Sequence, residues 1–213
     1  MQQRHRQRGL EGCKFAVKRV KITIGMCFLA ALLLVGAACG GGGSDKTIPG
    51  GKTFRGGGLS FTYPTEWRVR TAGEPEADAD YQVKVGPQGR ANDLIAVTVA
   101  TVGVVIEGKV LAITEENIDE NKELLSTGAE FLVALGGGKL SKATRVTVGG
   151  LPGFRFEASN VKAHGDGRVG FHYIDLYKGT KTYTVSCAYT PDGDAEVTKA
   201  CDQVLGSFRL SRP

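Results

Sequence analysis

Residues 168–189 read RVGFHYIDLYKGTKTYTVSCAY, two alternating runs separated by a short turn. In the first, Val169–Tyr177, Phe171 and Tyr173 face one way while Ile174 and Leu176 face the other, because side chains alternate along a strand. In the second, Lys181–Tyr189, the residues Tyr183, Val185, Cys187 and Tyr189 share a face. The first run is apolar on both sides, so it belongs to a sheet covered on both faces by helices or loops.

Further strand-like segments lie on either side of this pair. Thr144–Val148 and Phe154–Ala158 precede it, with glycine-rich turns at Gly149-Gly150 and His164-Gly165-Asp166-Gly167. Earlier come Leu59, Phe61 and Tyr63, then Trp67 and Val69, then Tyr81, Val83 and Val85. Leu94–Val105 is almost continuously apolar and β-branched, as a strand buried on both faces would be. Ala72–Asp80 is an acidic loop between two of these segments. A helix is expected to start at Thr114, with Glu115 and Glu116 at its positive end and Ile113 stapled to Ile118. Gly128 interrupts the pattern before Glu130–Leu135. A second helix is expected over Asp194–Leu205, followed by a short strand, Phe208–Leu210. Short turns between consecutive strands favour antiparallel pairing. Two separate helices, rather than one per crossover, give an α+β class: a single domain with an antiparallel β-sheet flanked by helices.

The charge distribution points to an address. The 213-residue chain carries 27 Lys+Arg and 22 Asp+Glu, a formal charge of +5. Seven of those cations and only one anion fall within residues 1–38, so the remainder is close to neutral. A basic nucleic-acid-binding surface is therefore excluded by composition, and no nucleic-acid partner is expected. Residues 22–38, ITIGMCFLAALLLVGAA, carry no charge and follow Lys21 directly. A cationic segment, an apolar core and small residues before a cut are the parts of a secretory signal. The run Val35-Gly36-Ala37-Ala38-Cys39 resembles the lipobox of bacterial lipoproteins, departing from it at Gly36, where an aliphatic residue is usual. That resemblance implies removal of residues 1–38 and acylation (palmitate among the acyl chains) of Cys39. The long stretch before Val17-Lys18-Arg19-Val20-Lys21 suggests translation starting at Val17 or Val20. Residues 39–52, with Gly40–Gly43 and Ser44, are expected to be a flexible tether, and 53–213 the folded domain. The expected location is the outer face of the cytoplasmic membrane, with acyl chains as the membrane contact.

Cysteine usage agrees with export. Cys13 and Cys27 leave with the signal and Cys39 takes lipid, so Cys187 and Cys201 remain as a pair in an oxidising compartment. Cys187 lies on the apolar face of its strand, and Cys201 shares a helix side with Val197, Val204 and Leu205. Both point into the strand–helix seam, where a disulfide is expected; two buried thiols or two metal ligands are the alternatives.

The segment Gly58-Leu59-Ser60-Phe61-Thr62-Tyr63-Pro64-Thr65-Glu66-Trp67 resembles the "F-x-Y-P-x-x-W" opening of PsbP/Mog-like domains. Thr182–Cys187 through Val204-Leu205-Gly206-Ser207-Phe208-Arg209-Leu210 resembles the ending of the same family, a strand, a helix and an "S-F-[RK]" strand. Among its members the chain is most similar to the LpqN-type lipoproteins of mycobacteria and related actinobacteria, which share the lipobox and paired C-terminal cysteines. The resemblance spans residues 53–210, is specific at its two ends, and implies an α/β/α sandwich. It implies binding or accessory roles and no catalytic residues.

Three apparent motifs carry no chemistry. Gly51-Lys52-Thr53 ends like a P-loop, but the required first glycine would fall at Lys46 and no strand precedes it. Gly165-Asp166-Gly167-Arg168-Val169-Gly170 matches G-x-G-x-x-G but opens a strand, whereas a dinucleotide site needs a helix there. His164, Asp166, His172, Asp175, Asp192 and Asp194 are too scattered for a metal site, and His172 and Asp175 point to opposite faces. Asp192-Gly193-Asp194 reads as a turn and helix cap. A nucleophile elbow is missing, and Ser186 belongs to a strand. No catalytic residue, metal or cofactor is therefore assigned. The expected function is a non-catalytic binding or accessory module for an envelope protein partner. The alternative is a carrier or sensor of a small amphiphile, a lipid or glycolipid, with tyrosines and Trp67 available for a cleft. An envelope hydrolase is the weakest reading.

Overall fold

The computed structural model describes residues 47–48, 51–74, 79–101, 104–106, 109–163 and 167–211. The expected signal segment 1–38, Cys39, most of the tether, and His164 and Asp166 lie outside the described residues.

In chain order the elements are β1 (Thr47–Ile48), β2 (Gly51–Gly56), β3 (Leu59–Tyr63), β4 (Arg68–Gly73), β5 (Tyr81–Gly86) and β6 (Leu94–Ala100). A short ribbon follows, β7 (Val104–Ile106) and β8 (Lys109–Leu111), then α1 (Lys122–Leu135) and β9 (Lys139–Leu140). The second half holds β10 (Thr144–Val148), β11 (Leu151–Lys162), β12 (Arg168–Lys178), β13 (Lys181–Tyr189), α2 (Asp194–Ser207) and β14 (Arg209–Leu210). The main sheet runs β10-β11-β12-β13-β6-β5-β4, with β9 added to β11, and the smaller sheet β1-β2-β3-β14. Every pairing is antiparallel.

The two faces of the main sheet differ. One face carries Val83, Val85, Ile95, Val97, Val185, Cys187, Ile174 and Leu176, all essentially inaccessible to solvent. Val197, Ala200, Cys201 and Val204 of α2 and the Leu59–Phe61–Tyr63 stripe of β3 pack on it in one core with Trp67 and Phe208. The expected disulfide is present: Cys187 is bonded to Cys201, with Cα atoms 6.0 Å apart, inside this core. On the opposite face, Leu125 and Ala129 of α1 pack with Ile113, Ile118, Phe154, Phe156 and Tyr177. This helix packs against β9, β11 and β12 at one end of the sheet. The sheet is thus flanked by a helix on each side, as expected, but one side is closed and the other half-covered.

Three expectations on element boundaries are corrected. The first helix begins at Lys122 rather than Thr114. Asn117 accounts for the delay: its Oδ1 accepts from the Thr114 backbone N–H at 2.8 Å, and its Nδ2 donates to the Ala112 carbonyl at 2.9 Å. Such local side-chain bonds offer the backbone an alternative to helix. Ile113 and Ile118 are nonetheless both buried in one cluster, and the helix continues through Gly128 to Leu135. The apolar run from Leu94 divides, ending as β6 at Ala100, with Val104–Ile106 in the separate ribbon. At the other boundary, Gly51 and Lys52 are part of β2, two residues inside the segment expected as tether.

Two bulges shape the sheet. In β4 an extra residue between Val69 and Thr71 frees Arg70 from the ladder. Its guanidinium donates to the carbonyls of Pro87, Arg90, Ala91 and Asp93 at 2.7–3.0 Å, fastening the β5–β6 loop. In β11 the register shifts between Ala158 and Val161, with Asn160 at φ 61°. A bulge inserts one residue, so Val161 turns to the same face as Ala158. The β10–β11 hairpin uses Gly149 and Gly150, with φ 59° and 79°, the two positive angles that a tight antiparallel turn requires.

Candidate functional site

The half-covered face contains a cleft of about 170 Å³ between α1 and the strands that α1 does not reach. Its floor follows from strand register. One row across the sheet is Gln82, Thr98 and Thr184, polar throughout, and it continues on β12 to Asp175, outside the cleft lining. The next is Lys84, Ala96, Ser186 and Tyr173. The third is Leu94, Ala188, Phe171 and Ala158, entirely apolar. Rows two residues apart along a strand are about 7 Å apart, so polarity fades over about 14 Å. Val133 of α1 and Val161 and Val169 close the apolar end, with Val161 placed there by the β11 bulge.

The polar end is internally bonded. Gln82 Nε2 donates to Thr98 Oγ1 at 3.0 Å. Thr184 Oγ1 donates to Asp175 Oδ1 at 2.6 Å, and the Tyr173 hydroxyl also bonds to that carboxylate. Burial raises the Asp175 pKa to about 6, against which these two hydroxyls pull it down. Burial and the neighbouring Asp175 push Tyr173 well above the ordinary tyrosine range, so its hydroxyl stays protonated. Lys84 is half-buried on β5, and desolvation lowers its pKa. Lysines 84 and 162 line the cleft, and no carboxylate does so among the described residues.

A second polar cluster sits on the closed face, around His172. Its Nε2 lies 3.0 Å from Thr198 Oγ1, and Thr198 Oγ1 in turn donates to Asp194 Oδ1 at 3.0 Å. Arg155 Nη2 lies 3.2 Å from His172 Nδ1. An arginine only donates, so Nδ1 accepts and the imidazole proton sits on Nε2, pointing at Thr198. Burial lowers the His172 pKa first and Arg155 lowers it further, against smaller opposing effects of Glu157, Asp194 and Asp202. A neutral imidazole whose Nε2 proton already faces the hydroxyl has no lone pair with which to activate it. The order carboxylate–hydroxyl–imidazole is also the reverse of a nucleophilic triad, in which the carboxylate orients the imidazole.

The sequence-predicted residues are therefore separated. His172 and Asp175 occupy opposite faces of β12, as expected, and Asp194 begins α2. Gly170, the last glycine of the apparent dinucleotide motif, lies in β12, where a Cβ would come within 2.4 Å of the Tyr189 ring; close packing explains it. Ser186 is a cleft-floor residue, and Cys187 and Cys201 form the bridge. Trp67 is not in the cleft: its ring is wholly buried on the other face, with Nε1 donating to Glu196 Oε1 at 2.9 Å. Sequence reasoning missed Gln82, Lys84, Thr98 and Thr184 as a group. The available signal was the polar half of each alternation, the residues between Tyr81, Val83 and Val85 and between Tyr183, Val185 and Cys187.

No described protein family matches the sequence, and no curated protein does so. Solved structures do. The solution structure of cyanobacterial PsbP (CyanoP) from Synechocystis sp. PCC 6803 is similar with a TM-score of 0.53 and 16% identity, over 82% of this chain and 98% of that one. The crystal structure of LpqN, involved in cell envelope biogenesis of Mycobacterium tuberculosis, is similar with a TM-score of 0.49 and 11% identity, over 72% of this chain and 83% of that one. A Bacteroides thetaiotaomicron VPI-5482 protein scores 0.49 at 11% identity, over 78% of this chain and 50% of its own. The PsbP likeness, with the antiparallel sheet and its two helices, shows a PsbP-like α+β fold. No helix among the described residues is long and apolar enough to cross a membrane.

Proposed function

We propose that this protein is an exported, non-catalytic binding module, anchored through acylated Cys39, that holds a small amphiphile in the cleft between α1 and the main sheet. The observation that carries this reading is the floor, whose three registered rows pass from polar to apolar beneath apolar walls. A ligand with one polar and one apolar end has a single good orientation there. The middle and apolar rows include the small residues Ala96, Ala158 and Ala188, which leave the space open. The His172 geometry supports a non-catalytic role.

The test uses the full-length protein in lipid nanodiscs with labelled alanine methyls, titrated with decan-1-ol. Saturable shifts confined to Ala96, Ala129, Ala158 and Ala188 are expected. An Ala188→Leu variant, which fills the apolar row, should lose them while melting no lower than wild type. Shifts scattered over the surface, or unchanged in Ala188→Leu, would remove the carrier reading.

An envelope protein partner is the second reading. It is favoured by Phe131 and Leu135, one turn apart on α1 and each more than half exposed. Site-specific crosslinking from position 131 in the native membrane tests it, and a position that captures no protein there would leave it without support.

A further inference from the structure

We propose that the outer side of α1, led by Phe131 and Leu135, rests on the bilayer that holds the acyl chains of Cys39, so that the cleft opens onto that bilayer and the amphiphile passes directly between the two. This inference rests on the anchored-carrier reading and adds where its ligand enters.

The pair breaks the pattern of its own helix. Phe131 is 57% and Leu135 56% exposed, whereas Leu125 and Ala129 of the same helix are buried against the sheet. At about 100° per residue, Phe131 stands on the opposite side of α1 from Ala129 and Val133, both of which line the cleft. The pair therefore points away from the sheet, while the helix wall beneath it bounds the cleft. A flat apolar surface laid on α1 also lies over the cleft mouth.

The end of the helix suits a lipid interface. Lys139, Lys162 and Arg168 are exposed where α1 ends. The Lys162 N–H donates to the Gly136 carbonyl at 3.0 Å, and Arg168 Nη1 lies 4.0 Å from the place of a Cβ on Gly137. Glu123 and Glu130 are the acids exposed on α1. Large apolar side chains beside long cationic ones are the composition of an interfacial surface, where apolar groups enter the boundary and cations reach head-group phosphates.

Tether length favours a bilayer over other partners. Cys39 and Thr47 are eight residues apart, and a chain of that length reaches about 26–29 Å at full extension. Thr47 belongs to the smaller sheet, which packs on the face of the main sheet opposite α1. Packed sheets lie about 10 Å apart, and a helix with its side chains adds about 10–12 Å beyond. The outer side of α1 is thus roughly 20–25 Å from the layer of Thr47, so the anchor can reach a bilayer on which α1 rests. A short tether holds the effective concentration of bilayer surface near millimolar, about that of linked binding modules. A patch too small to bind a membrane by itself can then dock, an advantage that a protein free in the envelope lacks.

The experiment places full-length acylated protein in phosphatidylcholine–phosphatidylglycerol nanodiscs containing a head-group spin-labelled lipid. The readout is the alanine methyl signals of Ala134, exposed on α1, and Ala200 of α2 on the other face. Ala134 should be broadened several-fold more than Ala200. Phe131→Ser/Leu135→Ser, which changes only exposed positions, should remove that excess and leave the cleft alanine signals in place. Broadening of Ala200 equal to that of Ala134 would overturn the docked orientation, and an excess that survives the double variant would refute its assignment to this pair. Exchange of decan-1-ol between cleft and disc, read from the cleft alanine linewidths, should slow several-fold in the double variant; equal rates would rule out direct passage. Benzoylphenylalanine at position 131 in the native membrane should give lipid adducts, and a protein adduct would replace the bilayer with a partner. If decan-1-ol leaves the cleft alanines unmoved, the carrier reading fails and the passage with it, while the broadening of Ala134 still decides the docking. If exported protein carries no acyl chain on Cys39, the anchor and the docking fail together.

Discussion

Replacing Asp175 with asparagine should remove a specific pH dependence of stability. The carboxyl is buried, and its pKa stands at about 6 in the fold against an ordinary 3.8. Between those values the folded chain holds more protons than the unfolded one, so stability falls as pH rises. The destabilisation is fully present above pH 6 and vanishes as pH drops below 3.8. Two pKa units correspond to about 3 kcal/mol in all, and the part recovered between pH 7 and pH 4.5 is about 2 kcal/mol. Asparagine is nearly isosteric, can accept from Thr184 as Asp175 does, and cannot ionise. Urea unfolding of both proteins, full-length and in the same mild detergent, should be followed from pH 4.5 to 7. Other carboxylates titrate in this range, but they are common to both chains and cancel in the difference. Wild type should therefore gain about 2 kcal/mol relative to Asp175→Asn on acidification, or roughly 4–8 °C in Tm for a domain of this size. A flat difference would show that Asp175 is solvated or already paired. A difference of opposite sign would show a carboxylate stabilised as the anion, and either result would refute the burial argument.

The other predictions concern the cysteines. The Cys187–Cys201 bridge has a sequence separation of 14 residues, and closing a loop of about that length stabilises by roughly 3 kcal/mol on chain-entropy grounds. A Cys187→Ala/Cys201→Ala double variant should lower the denaturant midpoint by at least that equivalent, since both sulfurs are buried in the core; an unchanged midpoint would refute it. Mass mapping of exported protein under non-reducing conditions should recover the two cysteines in one linked peptide pair. Cys39→Ala should abolish acylation and release from membranes should follow; acyl mass found on that variant would sink the lipobox reading.

The carboxy-terminal half was legible because its patterns are dictated locally. The strand-like runs from Thr144 onward are rich in β-branched and aromatic residues, Gly149-Gly150 falls at a turn, and the α2 stripe of Val197, Cys201 and Val204 has helical spacing. The start of α1 was not legible, because the Asn117 side chain competes with the helix through bonds that propensity does not encode. The cleft was not legible for a different reason. Gln82, Lys84, Thr184 and Ser186 read as the solvent face of their strands, and nothing local says that α1 will stand beside them. The β11 bulge is equally silent in sequence, yet it determines that Val161 enters the cleft wall. Trp67, the aromatic most attractive for a binding site, is instead consumed by the core and by Glu196.

The unequal faces of the sheet bear on why a cleft survives in this fold. A sealed void of about 170 Å³ would cost about 4 kcal/mol at the usual penalty per unit of cavity volume. Larger side chains at positions 96, 158 or 188 would fill it, and solvent entering an open cleft lowers that penalty without abolishing it at the apolar row. On the closed face the opposite choice is made, with bulky β-branched residues, α2 and a disulfide joined in one buried core. Stability is thus concentrated on one side of the sheet, and small residues and a buried carboxylate are retained on the other. Residues kept at a cost to stability are the expected mark of a functional site. That argument is what makes Ala188→Leu informative: a gain in Tm together with loss of decanol shifts means that the space is kept for a ligand, whereas a loss in Tm means that the alanine is there because nothing larger fits.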